Sequence, residues 1–149
     1  GPFPTEDFGQ DGEALRKAGK EFGATTGRPR RCGWIDLPQL RYVNMINGTS
    51  QIILTKLDIL NTFEEIKVCT HYEINGRKTD RLPFDLDDTK IKPHYTSLKG
   101  WNSDISDISN RSELPPEAKH LLSFIEEALS TKITMISTGP ERDSLITGQ

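Results

Sequence analysis

Gln51-Ile52-Ile53-Leu54-Thr55-Lys56-Leu57-Asp58 decides how this chain is read. The run opens apolar and β-branched, then turns charged within a few residues. A short apolar run bounded on both sides reads as a buried, parallel strand. In open α/β sheets ligands bind outside the carboxyl ends of the strands, and Lys56-Leu57-Asp58 falls at that end. A carboxylate two residues after a lysine can read guanine. Asp58 would accept the ring N1–H and the exocyclic amino group together, as a charge-assisted pair. Adenine offers no such paired donors on that edge, so it would leave the carboxylate unpaired. The stem of Lys56 can lie across the base face. The plainer reading of Lys-x-Asp at a strand end is a solvated corner.

Downstream, Ile66, Val68, Thr70, Tyr72 and Ile74 alternate with Lys67, Cys69, His71 and Glu73, and Asn75-Gly76 follows. Asn-Gly after an alternating run is a strong hairpin signal, so 65–82 is expected to form an antiparallel, polar-faced ribbon inserted in the α/β pattern. Residues 84–111 are rich in Asp, Ser, Pro and Gly and are expected to be irregular, with a short strand near His94-Tyr95. Pro115-Pro116 opens a helix through Leu129 whose buried face is Ala118, Leu121, Leu122, Ile125, Ala128 and Leu129. Ile133-Thr134-Met135-Ile136 is a second apolar strand, and Ser137-Thr138-Gly139 follows at its end. A backbone N–H there can meet a guanine carbonyl; an ordinary strand-to-loop turn is the plainer reading.

Upstream, Asp36 and Gln39 have capping-box spacing, Pro38 falls in the first turn, and Leu40, Val43 and Ile46 recur at three-residue steps. These predict a helix closed by Asn47-Gly48. A shorter helix is expected over 11–20. Between the two helices lies Gly23-Ala24-Thr25-Thr26-Gly27-Arg28-Pro29-Arg30-Arg31-Cys32-Gly33-Trp34. Glycines allow close backbone approach, hydroxyls donate or accept, and guanidinium forks match carboxylate and phosphate oxygens. Pro29 biases Arg28 toward extended geometry, splaying Arg28 and Arg30 apart. The segment reads as an anion-binding loop, against the plainer reading of a solvated basic turn.

The formal net charge of the whole chain is -3, so the arginine loop is a local feature and there is no general case for nucleic acid or membrane. No apolar run approaches the ~18 residues of a membrane span. Cys32 and Cys69 form no CxxC, no metal cluster and no disulfide framework, which fits a reduced, cytoplasmic setting. His71, His94 and His120 are scattered without the spacing of a pair; His71 is expected to face solvent. Trp34 and Trp101 are read as packing residues. Asp85, Asp87 and Asp88 are read as an acidic loop rather than a cation site. No GxxxxGK[ST] or GxGxxG is present.

Taken together, several stretches resemble adenylosuccinate synthetase: Glu21 through Asp36, Leu54-Thr55-Lys56-Leu57-Asp58, Glu65-Ile66-Lys67-Val68-Cys69, Gly100-Trp101, and Ile136 through Arg142. They stand in the family's order, and the likeness runs from Gly1 to about Ile146. The resemblance implies the C-terminal part of a larger, mainly parallel-sheet, P-loop-NTPase-like α/β fold, with the 65–82 hairpin inserted. It implies a cytoplasmic carbon–nitrogen ligase that joins IMP to L-aspartate with GTP hydrolysis, as a homodimer that uses Mg2+. Carried over by position, Ala24, Thr25, Thr26, Gly27, Arg28 and Arg30 match aspartate contacts, and Arg28 also an IMP contact. Arg30, Lys56, Leu57, Asp58, Ser137, Thr138 and Gly139 match GTP contacts.

Family members are much longer. Their phosphate loop, catalytic aspartate and histidine, and magnesium ligands match no motif in this chain. Residues 1–149 are therefore expected to be one C-terminal piece of a single larger domain, beginning mid-protein and inactive alone, with no catalytic or metal-binding residue of its own. Two other readings stay open. One is a stand-alone, non-catalytic guanine-nucleotide or anion-binding module. The other, an RNA-binding domain, has little beyond the arginines to support it.

Overall fold

The computed structural model describes residues 10, 34–47, 51–81, 90–139 and 145–147, with backbone alone at 43, 44, 46 and 47. The helix expected over 11–20, the arginine loop and the Asp85–Asp88 segment lie outside them. The described residues fall into two compact units. One holds 10, 34–43, 67–81 and 90–97; the other holds 44–47, 51–66, 98–139 and 145–147.

The first unit is built on a mixed sheet. Strand β1 (Ile35–Asp36) pairs in parallel with β3 (Glu65–Ile74), β4 (Arg77–Thr79) pairs antiparallel with β3, and β5 (Ile91–Lys99) also pairs with β3. The hairpin forms as its sequence predicts. Asn75 and Gly76 take φ of 53° and 79°, and Tyr72 faces Thr79 across the ladder. Both central residues are left-handed, which is why Asn-Gly is favoured there. The ribbon is not polar on one face throughout. Cys69 is as fully buried as Val68 and Tyr72, because it packs into a cluster with Tyr72 and Ile91. The short strand expected near His94-Tyr95 is nine residues long.

Helix α1 (Leu37–Asn47) starts where Asp36 and Pro38 predict. The Asp36 Oδ1 accepts the Gln39 N–H at 3.1 Å. Asp36 does more than cap: the buried Tyr72 hydroxyl donates to both its oxygens, at 2.6 and 2.5 Å. Burial pushes the Asp36 carboxyl up from its ordinary range, while the Tyr72 and Gln39 bonds pull it back. Burial and Asp36 together push the Tyr72 phenol up, and burial followed by Asp36 pushes the Cys69 thiol up to about 12. Asp36→Ala is expected to cost about 2 kcal/mol or more, from the lost cap and a stranded phenol. Asp36→Asn keeps an acceptor for both donors and removes a buried charge. With the folded pKa raised, the ionised carboxyl costs stability above that pKa, so Asn is expected to match or exceed the parent at neutral pH. Urea midpoints of the two variants separate these outcomes.

The second unit holds a three-stranded mixed sheet. Strand β2 (Gln51–Leu54) pairs in parallel with β6 (Lys132–Ser137), and β7 (Leu145–Thr147) pairs antiparallel with β6. The parallel pairing agrees with the sequence, but β2 is less buried than its composition predicts. It lies at the edge of this sheet and Ile53 is 58% exposed. Helix α2 (Pro116–Leu129) buries Ala118, Leu121, Leu122 and Ile125 fully, while Ala128 and Leu129 are only half-buried at its last turn. The Arg111 guanidinium donates to both Glu126 oxygens, at 3.1 and 2.6 Å, and to the Ile133 carbonyl at 3.3 Å. Glu126 in turn accepts the Ile133 N–H at 2.8 Å. This knot fixes the start of β6 against α2.

Candidate functional site

The parallel register sets Leu54 beside Ile136. Residues 55–58 and 137–139 therefore leave the sheet at the same edge, the carboxyl end of β2 and β6. After β2 the chain turns through Lys56, whose φ of 58° and ψ of 42° are left-handed. A lysine there costs ~1 kcal/mol or more, and such strain tends to persist where function needs the geometry. A 3-10 helix, Leu57–Leu60, follows and packs against β6. Leu57 and Leu60 are buried and act as its anchors. The Leu57 side chain is thus taken up by packing.

Asp58 sits between these anchors, half-buried. Its Oδ1 is buried and accepts no hydrogen bond among the described residues. Burial raises its proton affinity first; its own backbone N–H opposes this, the Asp104 charge adds to it and the Lys56 charge opposes it. A carboxylate oxygen withdrawn from water and left without a donor costs stability unless something else supplies the donor. Across the edge, Thr138 is buried and the Ser137 Oγ donates to the Gly139 carbonyl at 3.1 Å, which shapes that turn.

Two groups near this edge escape sequence reading. Asn61 and Asp104, 43 positions apart, are joined by a hydrogen bond of 3.2 Å, and Trp101 donates to Asn61 at 2.9 Å. No spacing rule links these positions; only the fold does. Trp34 and Trp101 are both buried, in keeping with packing roles.

The histidines depart from expectation. In the first unit, His71 stacks on His94 with centroids 4.7 Å apart and ring planes 9° from parallel. Its Nδ1 pairs with Thr70 Oγ1 at 2.9 Å, and its Nε2 is buried and has no partner among the described residues. His71 is thus a half-buried ring that packs on a neighbour, because β3 and β5 are paired, rather than a solvent-facing one. Burial, then His94 and Lys78, hold its pKa below the ordinary 6.5, with Asp80 and Glu73 opposing. A folded pKa below the unfolded one means that the unfolded chain takes up the proton first. Stability is therefore expected to be complete above pH 6.5 and to fall as the pH drops toward the lowered pKa. His71→Asn should flatten that slope in chemical denaturation between pH 7.5 and 5.5, ~1 unit either side of the ordinary value; an unchanged slope would assign it to other groups.

The chain as a whole is similar to known proteins. The family model for adenylosuccinate synthetase matches residues 1–146. The chain belongs to the adenylosuccinate synthetase family. It is 51% identical over 148 residues to the adenylosuccinate synthetase of Salinibacter ruber, covering 99% of this chain and 34% of that protein. Against the Kluyveromyces lactis synthetase it is 48% identical over 147 residues, covering 98% of this chain and 34% of that protein. The structure of fully ligated adenylosuccinate synthetase from Plasmodium falciparum superposes with a TM-score of 0.94 at 40% identity, covering all of this chain and 36% of that one. The chain thus spans about a third of the length of the relatives it matches.

Ala24, Thr25, Thr26, Gly27, Arg28 and Arg30 lie outside the described residues. Among the described residues no group of three or more His, Cys, Asp or Glu side chains could hold a metal ion. No helix among them is long and apolar enough to cross a membrane.

Proposed function

We propose that this chain supplies the guanine-reading edge of a GTP-dependent ligase that joins IMP and L-aspartate into adenylosuccinate. The observation that carries the reading is the buried, donor-less Asp58 oxygen at the edge shared with residues 137–139. Guanine brings two N–H donors to one edge, and the Asp58 Oδ1 has no donor among the described residues. The left-handed Lys56 turns the chain just before Asp58, and the Leu54–Ile136 register puts the Ser137–Gly139 turn at the same end of the sheet, which supports the reading that it meets the other side of the base.

The remaining assignments rest on family membership and residue chemistry. Ala24 to Gly27, Arg28 and Arg30 would hold the aspartate carboxylates, each charge-assisted bond contributing ~1.5–3 kcal/mol. Arg28 would also reach IMP and Arg30 would reach GTP. The phosphate chemistry, Mg2+, the larger P-loop-like sheet and the homodimer contacts would belong to parts of the enzyme beyond these residues, in a cytoplasmic protein. These 149 residues alone would make no adenylosuccinate.

The test is product formation by the full reading frame that encodes this sequence, supplied with IMP, L-aspartate and Mg2+. Adenylosuccinate is expected with GTP and not with ATP. Equal use of both nucleotides would overturn the guanine assignment, and no product with either would overturn the ligase reading.

A further inference from the structure

The turn that carries Asp58 is only four residues long, and a bidentate contact needs its carboxylate fixed closely. Asn61 ends that turn, its N–H donating to the Asp58 carbonyl at 3.0 Å. Its side chain is then held at both ends. The Trp101 indole N–H donates to its Oδ1 at 2.9 Å, and its Nδ2 donates to Asp104 Oδ1 at 3.2 Å. An indole N–H can only donate and a carboxylate can only accept. The amide orientation is therefore dictated by its partners.

The far side of this link is itself anchored. Trp101 is buried, and the Gly100 N–H before it donates to the Glu64 carbonyl at 2.8 Å. Asp104 Oδ1 also accepts the Ser106 N–H at 2.9 Å. Bonds from the Ser106 side chain and backbone lower the Asp104 pKa, so it stays an anion whose charge is felt at Asp58.

We propose that Asn61 and Asp104 are positioning residues for the purine-reading carboxylate: a side-chain clamp between the 3-10 turn and the 101–106 loop that sets the placement and charge of Asp58. The inference rests on the guanine reading above. Asn61 supplies geometry and Asp104 supplies field. Neither is required to touch the nucleotide.

Two variants in the full-length enzyme separate the contributions. Asn61→Leu removes both side-chain bonds at similar volume. The Kd for GDP, by calorimetry, is expected to rise ~tenfold, with the Kd for IMP changed less than ~twofold. Asp104→Asn keeps an acceptor for Asn61 and Ser106 and removes only the charge. Asp58 then ionises more easily, so the acid-side weakening of GDP binding is expected to move to lower pH. Asp58→Asn is the control. If it leaves GDP binding unchanged, the guanine reading fails and this inference falls with it. If it weakens GDP binding while Asn61→Leu does not, or does so equally for IMP, and Asp104→Asn leaves the pH limb in place, the clamp alone is overturned. Should Asn61→Leu fail to fold, the pH limb of Asp104→Asn decides the matter.

Discussion

Asp58→Asn in the full-length enzyme is expected to raise the KM for GTP by ~100-fold or more while leaving the protein no less stable. The carboxylate accepts two donors; an amide accepts one and turns its own NH2 toward the other. The loss is one charge-assisted pair plus a donor facing a donor, ~3 kcal/mol or more. Each 1.4 kcal/mol is about tenfold, which gives the stated change. Xanthine puts a carbonyl where guanine has its amino group, so xanthosine triphosphate should become the better substrate.

The stability half of the result follows from the same atom. Burial raises the proton affinity of Asp58, so its ionised form is less favourable in the folded protein than in the unfolded chain. A neutral amide escapes that penalty. Lost nucleotide preference together with an unchanged or higher melting temperature is what a residue kept for binding predicts. A lowered melting temperature with unaltered preference would make Asp58 a structural residue.

The second large effect is expected from Gly100→Ala. A Cβ built on Gly100 would lie 1.8 Å from the Phe63 carbonyl oxygen, 2.8 Å from its carbon and 3.2 Å from the Glu64 carbonyl carbon. All three atoms are backbone, so no side chain can swing aside. The strands must separate, and the 2.8 Å bond from the Gly100 N–H to Glu64 goes with them. Overpacking of this kind costs about 3 kcal/mol or more, or roughly 6–12 °C in melting temperature at this size. Gly76→Ala is the matching control. Gly76 has φ of +79° and nothing within 4 Å, so its substitution costs only backbone strain of ~1 kcal/mol. Equal losses at both positions would mean that conformation, not crowding, decides Gly100. The same crowding seats Trp101, and through it Asn61, so Gly100→Ala should also weaken guanine-nucleotide binding.

Local chemistry was legible in the sequence. Asp36 before Leu37-Pro38 starts a helix because a carboxylate can take the free N–H of Gln39, whatever the rest of the chain does. Asn75-Gly76 turns the hairpin because both residues tolerate positive φ. The apolar stripe of 116–129 is mostly buried because a helix repeats every 3.6 residues. The motif at Lys56-Leu57-Asp58 and its family resemblance were likewise set by residues a few positions apart.

Other features belong to the tertiary structure, because they depend on which distant segments meet. Ile53 is exposed because, among the described residues, little covers its face of β2. Cys69 is buried because it packs with Tyr72 and Ile91, and Ile91 comes from a different strand, β5. His71 and His94 stack, and Asn61 meets Asp104, through pairings that leave no periodic trace in the chain. Asp36 shows both levels at once: its cap is local, while its second partner, Tyr72, arrives from 36 residues away. At the candidate site, the sequence named Asp58, and the fold buried one of its oxygens with no donor among the described residues.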